Sequence, residues 1–185
     1  MLSNFDIENI ADKLDLPIIG VFNKDTLPKE REIGSYFINM ENSDAGDGTH
    51  WVYCKIFCDD ERKGKNDNNN LVCRALYFDS FGVDMPKEVE EFLRPFKPIP
   101  FNNRQIQNIN GSQCGWYCLC CDWVLEHKLH SDSYIDDYNK FLNMWNDDYK
   151  KNLKILKEIL SKSPQKFEYL NPEIDLGKSM ANLIN

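Results

Sequence analysis

With 185 residues, 42% of them apolar and 12% aromatic, the chain can close one substantial core, which excludes wholesale disorder. A net charge of −8, from 22 basic and 30 acidic residues without a lysine- or arginine-dense run, argues against a broad cationic surface for nucleic acid. No apolar stretch reaches the roughly 18–20 residues of a membrane helix, and no basic region precedes an apolar signal core, so a soluble, non-secreted protein is expected. Seven cysteines is an odd number, and free thiols in a reducing compartment are the simplest expectation.

In chain order, Ile7, Ile10, Ala11 and Leu14 recur at helical spacing over Ile7–Leu16, until Pro17 stops the pattern. Strands are predicted at Ile18–Phe22 and Gly34–Met40, the second followed by a polar loop over Glu41–Thr49. His50–Cys58 and Leu71–Phe78 are stronger strand signals, joined as a hairpin by the charged, asparagine-rich loop Asp59–Asn70. Asp84 as cap and Pro86 in the first turn open an acidic helix that runs to about Leu93. Pro95, Pro98 and Pro100 then forbid helix, and a short strand is expected at Phe101–Ile106. Further helices are predicted at Cys114–Lys128, Tyr134–Tyr149 and Asn152–Ser161, with an irregular tail beyond Pro164. Neither a repeat nor a linker divides the chain, so residues 1–185 read as one domain.

The chemistry concentrates at Cys114, where a polar, glycine-broken loop gives way to the apolar helix. A thiol at a helix N-terminus meets unpaired N–H groups and the positive end of the dipole, which favour thiolate and can cradle an oxyanion. The chain has three histidines. His127 and His130 lie near the far end of the same helix; at about 1.5 Å per residue, His127 is roughly 20 Å from the thiol, beyond proton transfer. His50, at a strand start, is left as the base. In the antiparallel hairpin the start of one strand faces the end of the next, which brings Asp79 beside His50 to orient it. Gln105, Gln107, Asn108 and Gln113 all carry amide donors for an oxyanion hole, and the residue pattern leaves the choice open. Cys54, Cys58, Cys118, Cys120 and Cys121 read as core thiols, since their spacing does not converge on a metal; Trp51 either shields the histidine or fills the core. No metal or cofactor is expected.

His50-Trp51, the segment Tyr77-Phe78-Asp79-Ser80-Phe81-Gly82 and the run from Gln107 to Cys114-Gly115 resemble the ordered His, acid, Gln, Cys signature of adenovirus-type maturation proteases. They also resemble the wider clan of SUMO-deconjugating proteases, and the likeness spans roughly Ile7–Val124, including Ile19-Gly20-Val21-Phe22-Asn23-Lys24 with Pro28. The resemblance implies an α+β, papain-like cysteine protease domain with a central, mostly antiparallel sheet flanked by helices. It casts Cys114 as nucleophile, His50 as base, Asp79 as its orienting acid and Gln107 with the Cys114 N–H as oxyanion hole, with Asn108 in reserve because the deconjugases carry their glutamine one residue later. Asn110–Gly115 is closer to the deconjugase loop, and an aspartate replaces the adenoviral glutamate.

What the resemblance implies for function is a viral cysteine endopeptidase that cleaves capsid or core precursors near glycine-containing sites during virion maturation, as in virophages and virus-like transposons. Its place would be the host cytoplasm or viral factory and then the virion. A peptide activator is conceivable, but no cysteine lies between Asp79 and Gln107 for a disulfide link. Nucleic-acid and membrane partners are not expected. The alternatives are a deconjugase acting on ubiquitin-like C-termini, an acyltransferase on the same triad, and a catalytically inactive binding module.

Overall fold

The computed structural model describes residues 1–46, 49–58, 72–129, 131 and 133–162. The expected hairpin loop Asp59–Asn70, His130 and the tail beyond Pro164 lie outside them. Helix α1, Asn4–Lys13, begins three residues before its apolar pattern, because Ser3 and Asp6 form a reciprocal capping box: the Asp6 N–H donates to Ser3 Oγ, and the Ser3 N–H to Asp6 Oδ2 at 2.8 Å. It buries Ile7, Ile10 and Ala11 and ends where Asp15 takes a positive φ of 54° ahead of Pro17.

Four strands follow in spatial order: β1 Ile18–Asn23, β2 Gly34–Asn39, β3 Trp51–Cys58 and β4 Cys73–Phe78. The sheet is mixed. Strands β2, β3 and β4 pair antiparallel and β1 alone runs parallel to β2, in keeping with the mostly antiparallel expectation. In the connection after β1, Arg31 donates from Nε to the Phe92 carbonyl at 2.6 Å and lies over the Phe92 ring.

Both sheet faces are apolar. Phe37, Trp51, Tyr53, Phe57, Leu76 and Phe78 point toward α3, Cys114–His127. Tyr36, Ile38, Val52, Ile56, Ala75 and Tyr77 point toward α2, Lys87–Leu93, which supplies Val89, Phe92 and Leu93. Covering on both faces explains why the strand sequences are nearly unbroken apolar runs. Every residue of α3 from Cys114 to Leu125 is buried, as expected of a helix that is apolar all round. Around it pack α1, α4 (Tyr134–Leu142) and α5 (Tyr149–Ser161).

Several local expectations are corrected. Helix α2 has Pro86 as its N-cap residue, without a side-chain cap, so Pro86 is not in the first turn and Asp84 does not cap it. The strand expected at Phe101–Ile106 reduces to one bridge between Phe101 and Tyr77, because Asn102 turns the chain, accepting from the Arg104 N–H and donating to the Arg104 and Asp79 carbonyls. The helix predicted over Tyr134–Tyr149 stops at Leu142. Arg104 Nη2 donates to the Leu142 and Trp145 carbonyls, Asn152 bonds Asn146, and Asp148 caps a new helix, so tertiary partners hold the break. Cys58 and Cys73 sit opposite each other at the end of the β3–β4 ladder and form a disulfide, so two of the seven cysteines are not free thiols. Cys54, Cys114, Cys118, Cys120 and Cys121 are free and buried.

A polar cluster fastens α3 to the sheet. Asp122 Oδ1 accepts from Ser35 Oγ and from Tyr53 OH, both at 2.7 Å, and Lys55 Nζ lies 3.7 Å from it and 2.6 Å from Glu126 Oε1. Burial pushes the Asp122 carboxyl upward; for Lys55 it acts downward and is outweighed by the Asp122 and Glu126 carboxylates, so the ammonium is held charged. Replacing Asp122 with leucine removes the acceptor shared by the Ser35 and Tyr53 hydroxyls and part of the partner charge of buried Lys55, and is expected to lower unfolding free energy by about 3–5 kcal/mol in urea titrations. A loss below about 1 kcal/mol would show that the cluster does not fasten the helix.

Candidate active site

Two chain segments that end at the same sheet edge build one half of the site. His50 immediately precedes β3 and its carbonyl accepts from the Met40 N–H, which extends the ladder and holds the backbone. Asp79 immediately follows β4. The register that pairs Tyr53 with Phe78 leaves both just beyond the ladder, and His50 Nε2 meets Asp79 Oδ1 at 2.7 Å. Asp79 is fully buried and His50 only 8% exposed.

Three further contacts fix this pair. The same Oδ1 accepts from the Phe81 N–H at 2.7 Å, and the Phe81 ring stacks on the imidazole with centroids 4.2 Å apart. Asn102 Nδ2 donates to the Asp79 carbonyl at 2.8 Å. Gly82 closes the turn with a φ of 67°, and a Cβ there would lie 2.4 Å from the Arg104 backbone, so the close approach of the two loops demands glycine. The roles of Phe81 and Asn102 were not read from the sequence. Proximity to Asp79 could have pointed to Phe81, while Asn102 carried no signal.

The other half is the start of α3. Gln113 is the N-cap residue, yet its side chain makes no capping bond, and no acidic residue occupies the first turn. The helix therefore begins with no side chain satisfying its first N–H groups, and Cys114 stands at that end. The helix is seated closely at Gly115, where a Cβ would come within 3.1–3.3 Å of the Leu2 and Trp51 side chains. Trp51 itself is buried, donating from Nε1 to the Leu2 carbonyl, while its own carbonyl accepts from Cys118 Sγ. Its place is thus in the core between α1 and α3.

The halves meet at the imidazole. His50 Nδ1, on the ring edge away from Asp79, is buried with no partner in hydrogen-bond geometry, and Cys114 acts on the ring from longer range. Burial pushes the imidazole pKa down, but the hydrogen bond and charge of Asp79, together with Cys114, outweigh it and raise the net value from 6.5 to about 9. An imidazolium at neutral pH beside a thiol is the arrangement that generates thiolate in reactive cysteine sites.

The four amide candidates now occupy distinct places. Gln107 is 1% exposed; its Oε1 accepts from Ser80 Oγ and its Nε2 donates to the Gly111 carbonyl, both at 2.8 Å, which leaves one amide hydrogen uncommitted. Asn108 is exposed and closes a turn, accepting from the Asn110 N–H. Gln105 Nε2 donates to the Gln107 carbonyl. Gln113 is 6% exposed and its Nε2 has no partner. Among the described residues, no three His, Cys, Asp or Glu side chains gather around a point that would hold a metal ion, and no helix is long and apolar enough to cross a membrane.

No protein-family model matches the sequence, and no curated protein matches it. Among solved structures, the ASFV pS273R protease is similar, with a TM-score of 0.48 and 16% identity over 84% of this chain. The chain spans 66% of that structure's length.

The imidazole makes a pH-dependent contribution with a definite sign. Because folding raises its pKa, the stability it confers is fully present below about 6.5 and is lost as pH rises toward 9. In NMR titration the His50 ring is expected to titrate near 9, and in Asp79→Asn, where burial dominates, below its ordinary value. A midpoint near 6.5 unaffected by the substitution would contradict the coupling.

Proposed function

We propose that this chain is a cysteine endopeptidase with Cys114 as nucleophile, His50 as general base and acid, Asp79 as the group that orients His50, and Gln107 as oxyanion donor. One observation carries the reading: the buried His50–Asp79 pair leaves the imidazole's second nitrogen without a hydrogen-bond partner, while Cys114, at the start of an uncapped helix, acts on the same ring. The order and spacing that resemble the adenovirus-type proteases support it independently.

In this mechanism the Cys114 proton resides on His50 Nδ1 in a thiolate–imidazolium pair before substrate binds, and the thiolate attacks a peptide carbonyl carbon to form the C–S bond. Asp79 holds Nε2–H and stabilises the imidazolium. The charge that develops on the carbonyl oxygen is received by the Cys114 N–H and the uncommitted Gln107 Nε2 hydrogen. As the C–N bond breaks, Nδ1–H protonates the leaving amine. Water, deprotonated by His50, then attacks the thioester and releases the acid product and Cys114. Ser80, through Gln107 Oε1, keeps the amide turned with its nitrogen toward the nucleophile's loop.

The substrate class follows from the resemblance: virion capsid or core precursors, cut next to glycine, in the infected cell or the assembling particle. Incubation with glycine-containing precursor peptides and with fluorogenic ubiquitin-like conjugates separates this reading from a deconjugase; exclusive turnover of the conjugates would replace it, and acyl-CoA-dependent modification without cleavage would mark an acyltransferase. Cys114→Ala and His50→Ala are each expected to lower kcat/KM by about 10³-fold or more while the circular dichroism is preserved. Gln107→Ala should cost about 10²-fold in kcat, and Asn108→Ala less than about threefold. Near-normal turnover in Cys114→Ala would sink the mechanism, and the reverse order for Gln107 and Asn108 would move the oxyanion donor.

A further inference from the structure

The Gln107 side chain is only as well aimed as the peptide unit from which it leaves the backbone. That unit, between Ile106 and Gln107, is held at both ends. Its N–H, on Gln107, donates to the Ser80 carbonyl at 3.1 Å, and its carbonyl, on Ile106, accepts from Asn152 Nδ2 at 2.8 Å. A peptide unit is planar, so two opposed anchors fix the tilt of its plane, and with it the direction of the Gln107 Cα–Cβ bond. Ser80 then holds the far end of the same side chain by donating to Gln107 Oε1.

Asn152 comes from the first turn of α5, 46 positions from Ile106 in sequence, and is fully buried. Both of its amide hydrogens are spent, one on Ile106 and the other, at 2.6 Å, on the Asn146 carbonyl, while Oδ1 accepts from the Asn146 N–H at 2.8 Å. This pattern fixes which way the amide faces, since the flipped group would set an oxygen against two carbonyls. None of these bonds lies within α5, and asparagine is a poorer helix former than leucine, so the side chain serves contacts outside its own helix. The other reacting groups are oriented elsewhere: His50 and Asp79 by Phe81 and Asn102, and Cys114 by the seating of α3. The hydrogen bonds of Asn152 therefore reach the site by one route, the peptide unit that bears Gln107.

We propose that Asn152 is a positioning residue for the oxyanion amide: by holding the Ile106 carbonyl it fixes the peptide plane and aims Gln107 Nε2 at the substrate's carbonyl oxygen. The consequence for rate rests on the role proposed above for Cys114 and Gln107, and the geometry rests on the bonds of Asn152 alone. Asn152 bonds neither Cys114 nor His50, so it acts on kcat through Gln107. A misplacement of about 1 Å at a reacting group can cost on the order of 10²-fold, and losing one anchor while Ser80 keeps the other is expected to cost about tenfold.

The test is a double-mutant cycle on the full chain. Asn152→Ser withdraws the donor from Ile106, and Asn152→Asp keeps the shape and the acceptor but turns an oxygen toward the Ile106 carbonyl. Each is expected to lower kcat by about tenfold with KM within about twofold, on whichever of the glycine-containing peptides or ubiquitin-like conjugates the unsubstituted chain turns over. In a Gln107→Ala background the same changes should alter kcat by less than about twofold, because the amide they misdirect is gone. Alkylation of Cys114 by iodoacetamide forms no oxyanion, so its rate should stay within about twofold. Asn146→Ala, which deletes only the 3.3 Å bond from Asn146 Nδ2 to Asn152 Oδ1, should leave kcat within about twofold. Full additivity in the cycle, an equal loss in Asn146→Ala, or a fall in alkylation rate that matches the fall in kcat overturns the proposal. So does loss of the native circular dichroism in both Asn152 variants, which would make Asn152 a folding residue. If the unsubstituted chain turns over nothing, the peptidase reading falls by itself, and the ¹⁵N side-chain amide resonance of Gln107 still reads the geometry: its displacement in Asn152→Ser supports the positioning role, and an unmoved resonance overturns it.

Discussion

The four residues after β4 meet three demands at once. Asp79 sends its side chain to His50, Phe81 stacks on the same ring and donates its N–H to the same carboxylate oxygen, and Ser80 reaches the opposite way to Gln107. The Ser80 carbonyl also accepts from the Ile106 and Gln107 N–H groups at 3.0 and 3.1 Å. One turn therefore sets the orientation of the imidazole and the position of the amide together, although those groups come from different segments of the chain. Such short, buried bonds in a low-dielectric environment hold geometry well, and they leave little slack between the His50 imidazole and the Gln107 amide.

Cys114 reaches this turn by a separate route. Helix α3 is buried on every side, so its position is decided by packing against β3 below and α1, α4 and α5 around it, with the Ser35, Tyr53, Lys55 and Asp122 cluster pinning it to the sheet. Most helices end their exposed N–H groups with a capping side chain, and omission costs about 1 kcal/mol. Here α1, α4 and α5 carry such caps, while the short α2 and the deeply buried α3 do not. The donors are left free at the one helix start where a developing oxyanion would use them.

Helix α5 links the two halves. Asn152 joins its first turn to Ile106 and Asn146, and Arg104 holds the end of α4, so the chain from Arg104 to Gln107 is clamped between the Asp79 turn and the C-terminal helices. This clamp explains the interruption between α4 and α5. The segment around Asn146 has ordinary helical periodicity but is held out of helix by the Arg104 bonds to the Leu142 and Trp145 carbonyls and by Asn152, six residues on, and local propensity is too weak, at a few tenths of a kcal/mol per residue, to resist them.

Much of the site was legible because its signals are local or depend on a simple pairing rule. The jump from polar loop to apolar helix located Cys114, distance along that helix removed His127, and hairpin geometry alone brought Asp79 to His50, where the separation is 2.7 Å. Strand positions were legible to within about two residues because both sheet faces are covered and the strands are continuous apolar runs. Only tertiary structure decided what depends on partners remote in sequence: the parallel pairing of edge strand β1 with β2; the Cys58–Cys73 disulfide, set by register; and the burial of Gln107 with Asn108 left at the surface, set by Ser80. Sequence by itself determined which residue types could do the chemistry and which strand ends would carry them. The tertiary structure decided which amide lies inside the site and which helix leans on the cysteine loop, because those depend on contacts between segments whose separation carries no periodic signal.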